Sequence, residues 1–124
     1  MGAWGYGPLQ NDSAADWLGD IGEYCSAQVA QVLDMGRMDA EWEEVRAACW
    51  LLERLGDTYV WPTEAFIAQV RQGIDWLMWL RDESGWHEDW NKPNDLRVSL
   101  DAQISTLTQM LTETESNANP DTQE

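Results

Sequence analysis

Apolar residues recur at the period of a helix along most of this chain, and no segment alternates with the period of a strand. Four amphipathic segments are separated by short polar connectors. At 124 residues the chain is long enough for one domain with a hydrophobic core. The pattern therefore predicts an all-α fold, a compact four-helix bundle-like domain over residues 1–111.

The first predicted helix runs from Asp12 to Leu33, with Asn11 or Asp12 as its N-cap. At about 100° per residue, one broad face collects the apolar side chains. They are Ala14, Trp17, Leu18, Ile21, Cys25, Val29 and Val32. A narrow arc on the opposite side collects the carboxylates of Asp12, Asp16, Asp20 and Glu23. We expect Trp17 to lie in the core and these carboxylates to face solvent.

Helix 2 is predicted from Asp39 to Leu55. Its inner face consists of Trp42, Val45, Ala48, Cys49, Leu52 and Leu55. Helix 3 is predicted from Thr63 to about Arg81. Its main stripe consists of Phe66, Ile67, Val70, Ile74, Leu77 and Met78.

A polar connector over residues 82–94 leads to helix 4, whose apolar stripe begins at Leu96 and ends at Leu111. The acidic tail, residues 112–124, offers almost no apolar anchor after that point. A segment that cannot bury apolar surface does not gain enough free energy to offset the conformational entropy that it would lose on ordering. We therefore predict that this tail is disordered.

Residues 2–8, GAWGYGP, precede the first helix and interleave glycines with aromatics. The glycines are Gly2, Gly5 and Gly7, and the aromatics between them are Trp4 and Tyr6. Glycine permits unusual backbone angles and close approach, while each aromatic ring can bury a large area. The combination predicts an ordered structural segment that folds back onto the helices.

Three short motifs near the N-terminus carry a family resemblance. They are Gly-Ala-Trp-Gly at residues 2–5, Asn11-Asp12, and Asp16-Trp17-Leu18. Over residues 2–19 the chain resembles the bacterial family named domain of unknown function 4259. The resemblance implies a family, and it implies no activity.

Charge is strongly one-sided, with 23 Asp and Glu against 7 Lys and Arg and a formal net charge of −16. Such a field repels phosphate backbones and anionic lipid, so direct binding to nucleic acid or to a membrane surface is disfavoured. It favours a basic partner or cations. Acidity that serves only solubility is the alternative interpretation.

Cysteine and histidine usage gives little sign of catalysis. Cys25 and Cys49 lie on inner helical faces and are predicted to be buried free thiols without a disulfide. His87 is followed by Glu88, but Asn91 stands where a zinc HExxH motif needs its second histidine. We assign no catalytic, cofactor or metal site. The absence of a signal peptide or an apolar run of membrane length favours a cytoplasmic protein.

Nine tryptophans are far more than a chain of this length normally carries. Trp50 lies about 140° from the centre of helix 2's inner face. Trp76 and Trp79 lie off the main stripe of helix 3. Such displaced rings predict either a second buried layer or an exposed patch that binds a partner, and both interpretations stay open.

The sequence favours a non-enzymatic binding module for a basic protein partner, similar to an immunity or inhibitor protein, as a monomer or homodimer. The candidate partner-binding residues are Asp16, Asp20, Glu23, Trp50, Trp76 and Trp79. Two alternatives remain: a DNA mimic with carboxylates spaced like phosphates, and a metal-dependent enzyme that uses clustered carboxylates.

Overall fold

The computed structural model describes residues 12–55 and 61–118. Its helices are α1 (Asp12–Leu33), α2 (Trp42–Leu55), α3 (Thr63–Asp82) and α4 (Pro93–Ala118). A short 3-10 helix, Trp86–Asp89, lies between α3 and α4. Strands are absent from these two ranges, so the prediction of an all-α four-helix domain is confirmed. The glycine–aromatic segment and Asn11 lie outside the described residues.

Helix bounds follow the sequence signals closely except at α2 and α4. The predicted α2 start at Asp39 is three residues too early, because residues 36–40 form a turn. The backbone N–H groups of Asp39 and Ala40 donate to the carbonyl of Gly36 at 3.0 and 3.1 Å. Regular helix then begins at Trp42, whose indole N–H donates to the carbonyl of Arg37 at 2.8 Å.

The boundary predicted for the disordered tail is wrong over residues 112–118, where α4 continues as regular helix. Met110 is buried near the predicted end. Beyond it, the Arg71 guanidinium on α3 pairs with the Glu115 carboxylate on α4. An ion pair to a neighbouring helix thus supports a stretch that lacks apolar anchors. Residues 119–124 lie outside the described part.

Helices α2 and α3 occupy the middle of the domain. Each contacts the other, and both contact α1 and α4, whereas α1 and α4 do not touch within the described ranges. The core between the helices is apolar and includes Val29, Leu33, Val45, Leu52, Phe66, Val70, Trp76, Leu77, Leu100 and Leu107. At the centre a Cβ on Gly73 of α3 would lie 3.1 Å from the Cys49 sulfur of α2, so glycine permits this close crossing.

The buried side of α1 differs from the predicted one. Its buried positions are Gly22, Ser26, Val29 and Leu33, centred about 80° around the helix from the predicted apolar face. Of that predicted face, Val29 is buried as expected, and Cys25 and Val32 are partly buried against the core. Trp17, predicted to lie in the core, is 65% exposed. The rotation has a polar cause, because α1 docks on α3 through Ser26 and Gln69.

Gln69 is a buried amide whose polar atoms are satisfied across three segments. Its Nε2 donates to the Ser26 carbonyl at 2.8 Å. Its Oε1 accepts from the Ser26 hydroxyl at 3.3 Å and from the Trp61 indole N–H at 3.0 Å. A buried polar group left without such partners would cost about 1–3 kcal/mol, so this network fixes which side of α1 faces inward.

The stripe predicted for α3 needs a similar correction. Phe66, Val70 and Leu77 are buried as predicted, but Met78 is 43% exposed. Trp76 and Leu80 are buried instead. Trp76 is buried although it lies off the predicted stripe, because periodicity within α3 does not reveal the partners that Leu33, Arg37 and Trp79 supply to its ring.

Candidate partner-binding face

The outward side of α1 carries two parallel stripes of side chains. The carboxylate stripe consists of Asp16, Asp20 and Glu23, all exposed. The aromatic stripe consists of Trp17, Ile21 and Tyr24, at the i, i+4, i+7 spacing that aligns residues on one helical face. Both stripes lie away from the buried positions that face α3, so the rotation of α1 turns them jointly toward solvent.

Exposure of the aromatic stripe is high for side chains of this size. Trp17 is 65% exposed, Tyr24 66% and Ile21 37%. Trp17 and Tyr24 are two turns apart, a separation of about 10 Å along the helix axis. Contiguous exposed apolar surface of this kind marks interaction sites more often than single exposed residues do.

A groove between α1 and α2 extends the aromatic stripe toward the C-terminus of α1. It has a volume of about 420 Å³. Val29, Val32 and Met35 form its α1 wall with Gln28 and Gln31, and Ala47, Ala48 and Leu51 form its α2 wall with Glu44. Gln28 and Met35 continue the helical register of Trp17 and Tyr24. Stripe and groove therefore lie on the same side of α1.

Electrostatically, this region is uniformly negative. No Lys or Arg occurs before Arg37, so α1 has no basic side chain of its own. Arg37 is already engaged, since its Nη2 lies 2.5 Å from the Asp75 carboxylate and its guanidinium lies 4.3 Å from the Trp76 ring centroid. Among the described residues, the carboxylate stripe has no ion-pair partner.

Five other tryptophans form an edge-to-face cluster at the joint of α2, α3 and the 3-10 helix. The contacts run Trp76–Trp79, Trp79–Trp42, Trp42–Trp86 and Trp86–Trp90, with centroid separations from 5.5 to 5.9 Å. Such geometry is worth about 0.5–1.5 kcal/mol for each pair beyond the buried area. The cluster is the second layer that the displaced tryptophans suggested.

The three candidate tryptophans therefore differ in how accessible their rings are to a partner. Trp76 is 2% exposed and its indole N–H donates to the Leu33 carbonyl at 2.9 Å, so its ring is not accessible to a partner. Trp79 is half-buried between Trp42 and Trp76. Trp50 is 51% exposed, and the Arg54 guanidinium lies 5.4 Å from its ring centroid.

Trp50 does not share a surface with the α1 stripes. It lines a neighbouring groove between α2 and α4, together with Ser99 and Gln103 of α4, and Ala47 of α2 borders both this groove and the α1–α2 groove. Since α1 has no contact with α4 in the described ranges, the predicted partner-binding residues are not brought together as one patch. Sequence reasoning also missed Ile21 and Tyr24, which the i, i+4, i+7 spacing from Trp17 could have indicated.

The side chains that could act as nucleophiles or metal ligands do not come together in one site among the described residues. Both thiols are free, and burial raises the pKa of the Cys49 thiol to about 12. Within residues 12–55 and 61–118, no three His, Cys, Asp or Glu side chains lie close enough to hold a metal ion. His87 is on the 3-10 helix, but its side chain is outside the described part. None of the described helices combines the length and apolar character needed to cross a membrane.

The sequence model of a family described as domain of unknown function (DUF4259) matches residues 2–100. The match covers most of the chain, so the chain belongs to this family. It includes the glycine–aromatic segment, all of α1 to α3 and the start of α4. Nothing among the curated proteins or the solved structures matches the chain.

Proposed function

We propose that this DUF4259 protein is a non-enzymatic binding module that holds a basic protein partner on α1. The observation that supports the proposal is the aromatic stripe lying exposed beside the carboxylate stripe. Large rigid aromatic rings are the side chains that most often anchor protein interfaces. An isolated acidic helix would serve solubility equally well, but solubility gives no reason to expose Trp17 and Tyr24.

The two stripes have different physical tasks in such a complex. Exposed carboxylates on a chain of net charge −16 attract a basic surface from a distance and raise the association rate. Desolvated aromatic rings slow dissociation once contact is made. A small protein that neutralises a basic toxin or nuclease needs both properties.

The partner's contact surface follows from the α1–α2 groove. Glu44 stands on the α2 wall, while the carboxylate stripe lies across the aromatic stripe on the other side. Apolar surface is thus flanked by carboxylates on two sides. The complementary partner places an apolar side chain in the groove and Lys or Arg on both flanks.

The test is affinity capture from the native host with the full chain, compared across variants. Asp20→Asn with Glu23→Gln removes two charges from the carboxylate stripe without touching the first helical turn. Glu83→Gln with Glu113→Gln removes two exposed charges elsewhere and is the matched control. We expect one basic protein to be retained by the wild type and the control and reduced by the stripe variant.

Salt and a second variant complete the test. Raising salt from about 50 to 500 mM shortens the Debye length severalfold and should release the partner. Trp17→Ala should speed dissociation, because the aromatic anchor is lost. Indifference to salt, or equal capture by the stripe variant and the control, would contradict the proposal. Capture that depends on the carboxylates but not on Trp17 would favour the DNA-mimic alternative.

A further inference from the structure

A cavity lined by α2, by the segment 90–92 that follows the 3-10 helix, and by the start of α4 is richer in basic side chains than the rest of this acidic molecule. Its volume is about 480 Å³, within the range that small-molecule sites occupy. Its lining consists of Arg46, Trp90, Asn91, Lys92, Asp95, Leu96 and Ser99. Two of the chain's seven basic residues, including its only lysine, meet at this cavity.

Arg46 is held in place by neutral groups. Its Nε donates to the Gln103 amide oxygen at 2.7 Å and its Nη2 donates to the Ser99 hydroxyl at 2.6 Å. Arg37, Arg71 and Arg81 each pair with a carboxylate, whereas no carboxylate in the described part of the chain lies within 4.0 Å of Arg46. The guanidinium is positioned by neutral side chains and forms no ion pair with a described carboxylate.

Partial burial without an ion pair costs the Arg46 guanidinium part of its solvation free energy. Burial lowers the pKa of the Arg46 guanidinium, against the smaller opposing influence of nearby Cys49 and Glu53. Arginine nevertheless stays protonated at neutral pH. A partly desolvated guanidinium that forms no ion pair of its own is stabilised further when an anion binds directly beside it.

Trp90 supplies a flat apolar wall to the same cavity. Its ring is 43% exposed and packs edge-to-face on Trp86 with centroids 5.6 Å apart. Trp86 is itself buried, so the exposed ring stands on a fixed base. Buried Leu96 adds apolar surface to the lining. An aromatic ring can therefore stack or pack against this wall.

We propose that this cavity binds a small aromatic carboxylate, with Arg46 and Lys92 contacting the carboxylate and Trp90 contacting the ring. Among the described lining residues, two cations stand against the single carboxylate of Asp95, which gives them one net positive charge. The net charge of −16 opposes every further negative charge on a ligand. A monoanion fits this balance better than a phosphate ester with two charges.

The experiment titrates the full chain with indole-3-acetate and follows tryptophan indole N–H signals by NMR, with Trp90→Phe to assign the Trp90 signal. Indole-3-acetamide is the neutral probe of the same shape. We expect a saturable shift at Trp90 with a dissociation constant of about 1 mM or tighter for a probe of this size. The amide should bind at least about tenfold more weakly.

Variants separate a site from general electrostatics. Lys92→Gln should weaken binding about threefold to fivefold, since an exposed charge contributes modestly. Arg97→Gln is the matched control, because Arg97 is exposed in the first turns of α4, close to Lys92 in sequence, and does not line the cavity. Arg46→Gln should weaken binding about tenfold or more. Because Arg46 also links α2 to α4, Lys92→Gln keeps the test decisive if that variant fails to fold.

Several results would overturn the proposal. They are the absence of a saturable Trp90 shift, equal affinity for the acid and the amide, and equal effects of Lys92→Gln and Arg97→Gln. Tighter binding of phenyl phosphate than of indole-3-acetate would overturn the assignment to a monoanion.

Discussion

The Trp17 side chain on α1 is 65% exposed, while the Trp76 side chain on α3 is 2% exposed, although both helices are amphipathic. Trp76 has an acceptor for its N–H at Leu33, a guanidinium over its face and the Trp79 ring at its edge. Trp17 has none of these among the described residues. The Trp76 ring is enclosed because the end of α1, Arg37 and Trp79 together supply partners for its N–H and its ring, whereas Trp17 near the start of α1 has no such set among the described residues.

The largest effect that tests this comparison of Trp76 with Trp17 is expected in the free energy of unfolding. Trp76→Ala should lower the free energy of unfolding by about 3–5 kcal/mol, because it leaves a large cavity and removes the hydrogen bond from the indole to the Leu33 carbonyl. Trp17→Ala should cost about 1 kcal/mol or less. Urea unfolding followed by circular dichroism measures both. Equal losses would show that the two rings are equally packed.

Deletion of residues 2–8 tests the segment that directly precedes the exposed aromatics of α1. The sequence predicts that Trp4 and Tyr6 are buried, and these residues lie outside the described part of the chain. Their burial should contribute on the order of 3–5 kcal/mol, so the deletion should lower the melting temperature markedly. An unchanged melting curve in calorimetry would contradict the structural role and leave a ligand-binding role for this segment.

The stability of the protein at alkaline pH reports on the buried Cys49 thiol between α2 and α3, and not on the exposed surface of α1. The pKa of Cys49 rises from 9.0 to about 12 in the folded state, chiefly because burial disfavours the thiolate. The protonated thiol therefore favours folding fully below pH 9, and this contribution is lost as pH rises from 9 toward 12. The free energy of unfolding should fall by about 1 kcal/mol per pH unit in that window.

Cys49→Ala supplies the control for this pH dependence. All other ionisable groups are retained in the variant, so its slope measures their contribution without that of Cys49. Denaturant unfolding at a series of pH values should give a shallower slope for the variant. Equal slopes would mean that the thiol is not the group responsible.

The smallest expected stability effect concerns the carboxylate stripe. Asp20→Asn with Glu23→Gln should change the free energy of unfolding by no more than about 0.5 kcal/mol, since these side chains are exposed and have no described counter-ion. The same variant should clearly slow association with a basic partner. A loss of stability above about 2 kcal/mol would assign these residues to folding instead of recognition.

Local rules predicted most of the helices. The start of α1 at Asp12 and its end at Leu33 agree with the structure, as do the start of α3 at Thr63 and the end of α2 at Leu55. Capping and periodicity act over a few residues, so they can be recognised in the sequence itself. The late start of α2 shows the limit, because a turn closed by Gly36 competes with helix there.

The sequence by itself determined that the chain is all-α, strongly acidic and rich in tryptophan. Tertiary structure decided which sides of α1 and α3 are buried, which tryptophans are enclosed, and that Arg46 meets Ser99 and Gln103 across more than fifty residues. The physical reason is that a helix forms from neighbours in sequence, whereas its buried side depends on partners from distant segments. The Ser26–Gln69 network turns α1 so that Trp17 and Tyr24 face solvent, and periodicity within α1 contains no information about Gln69.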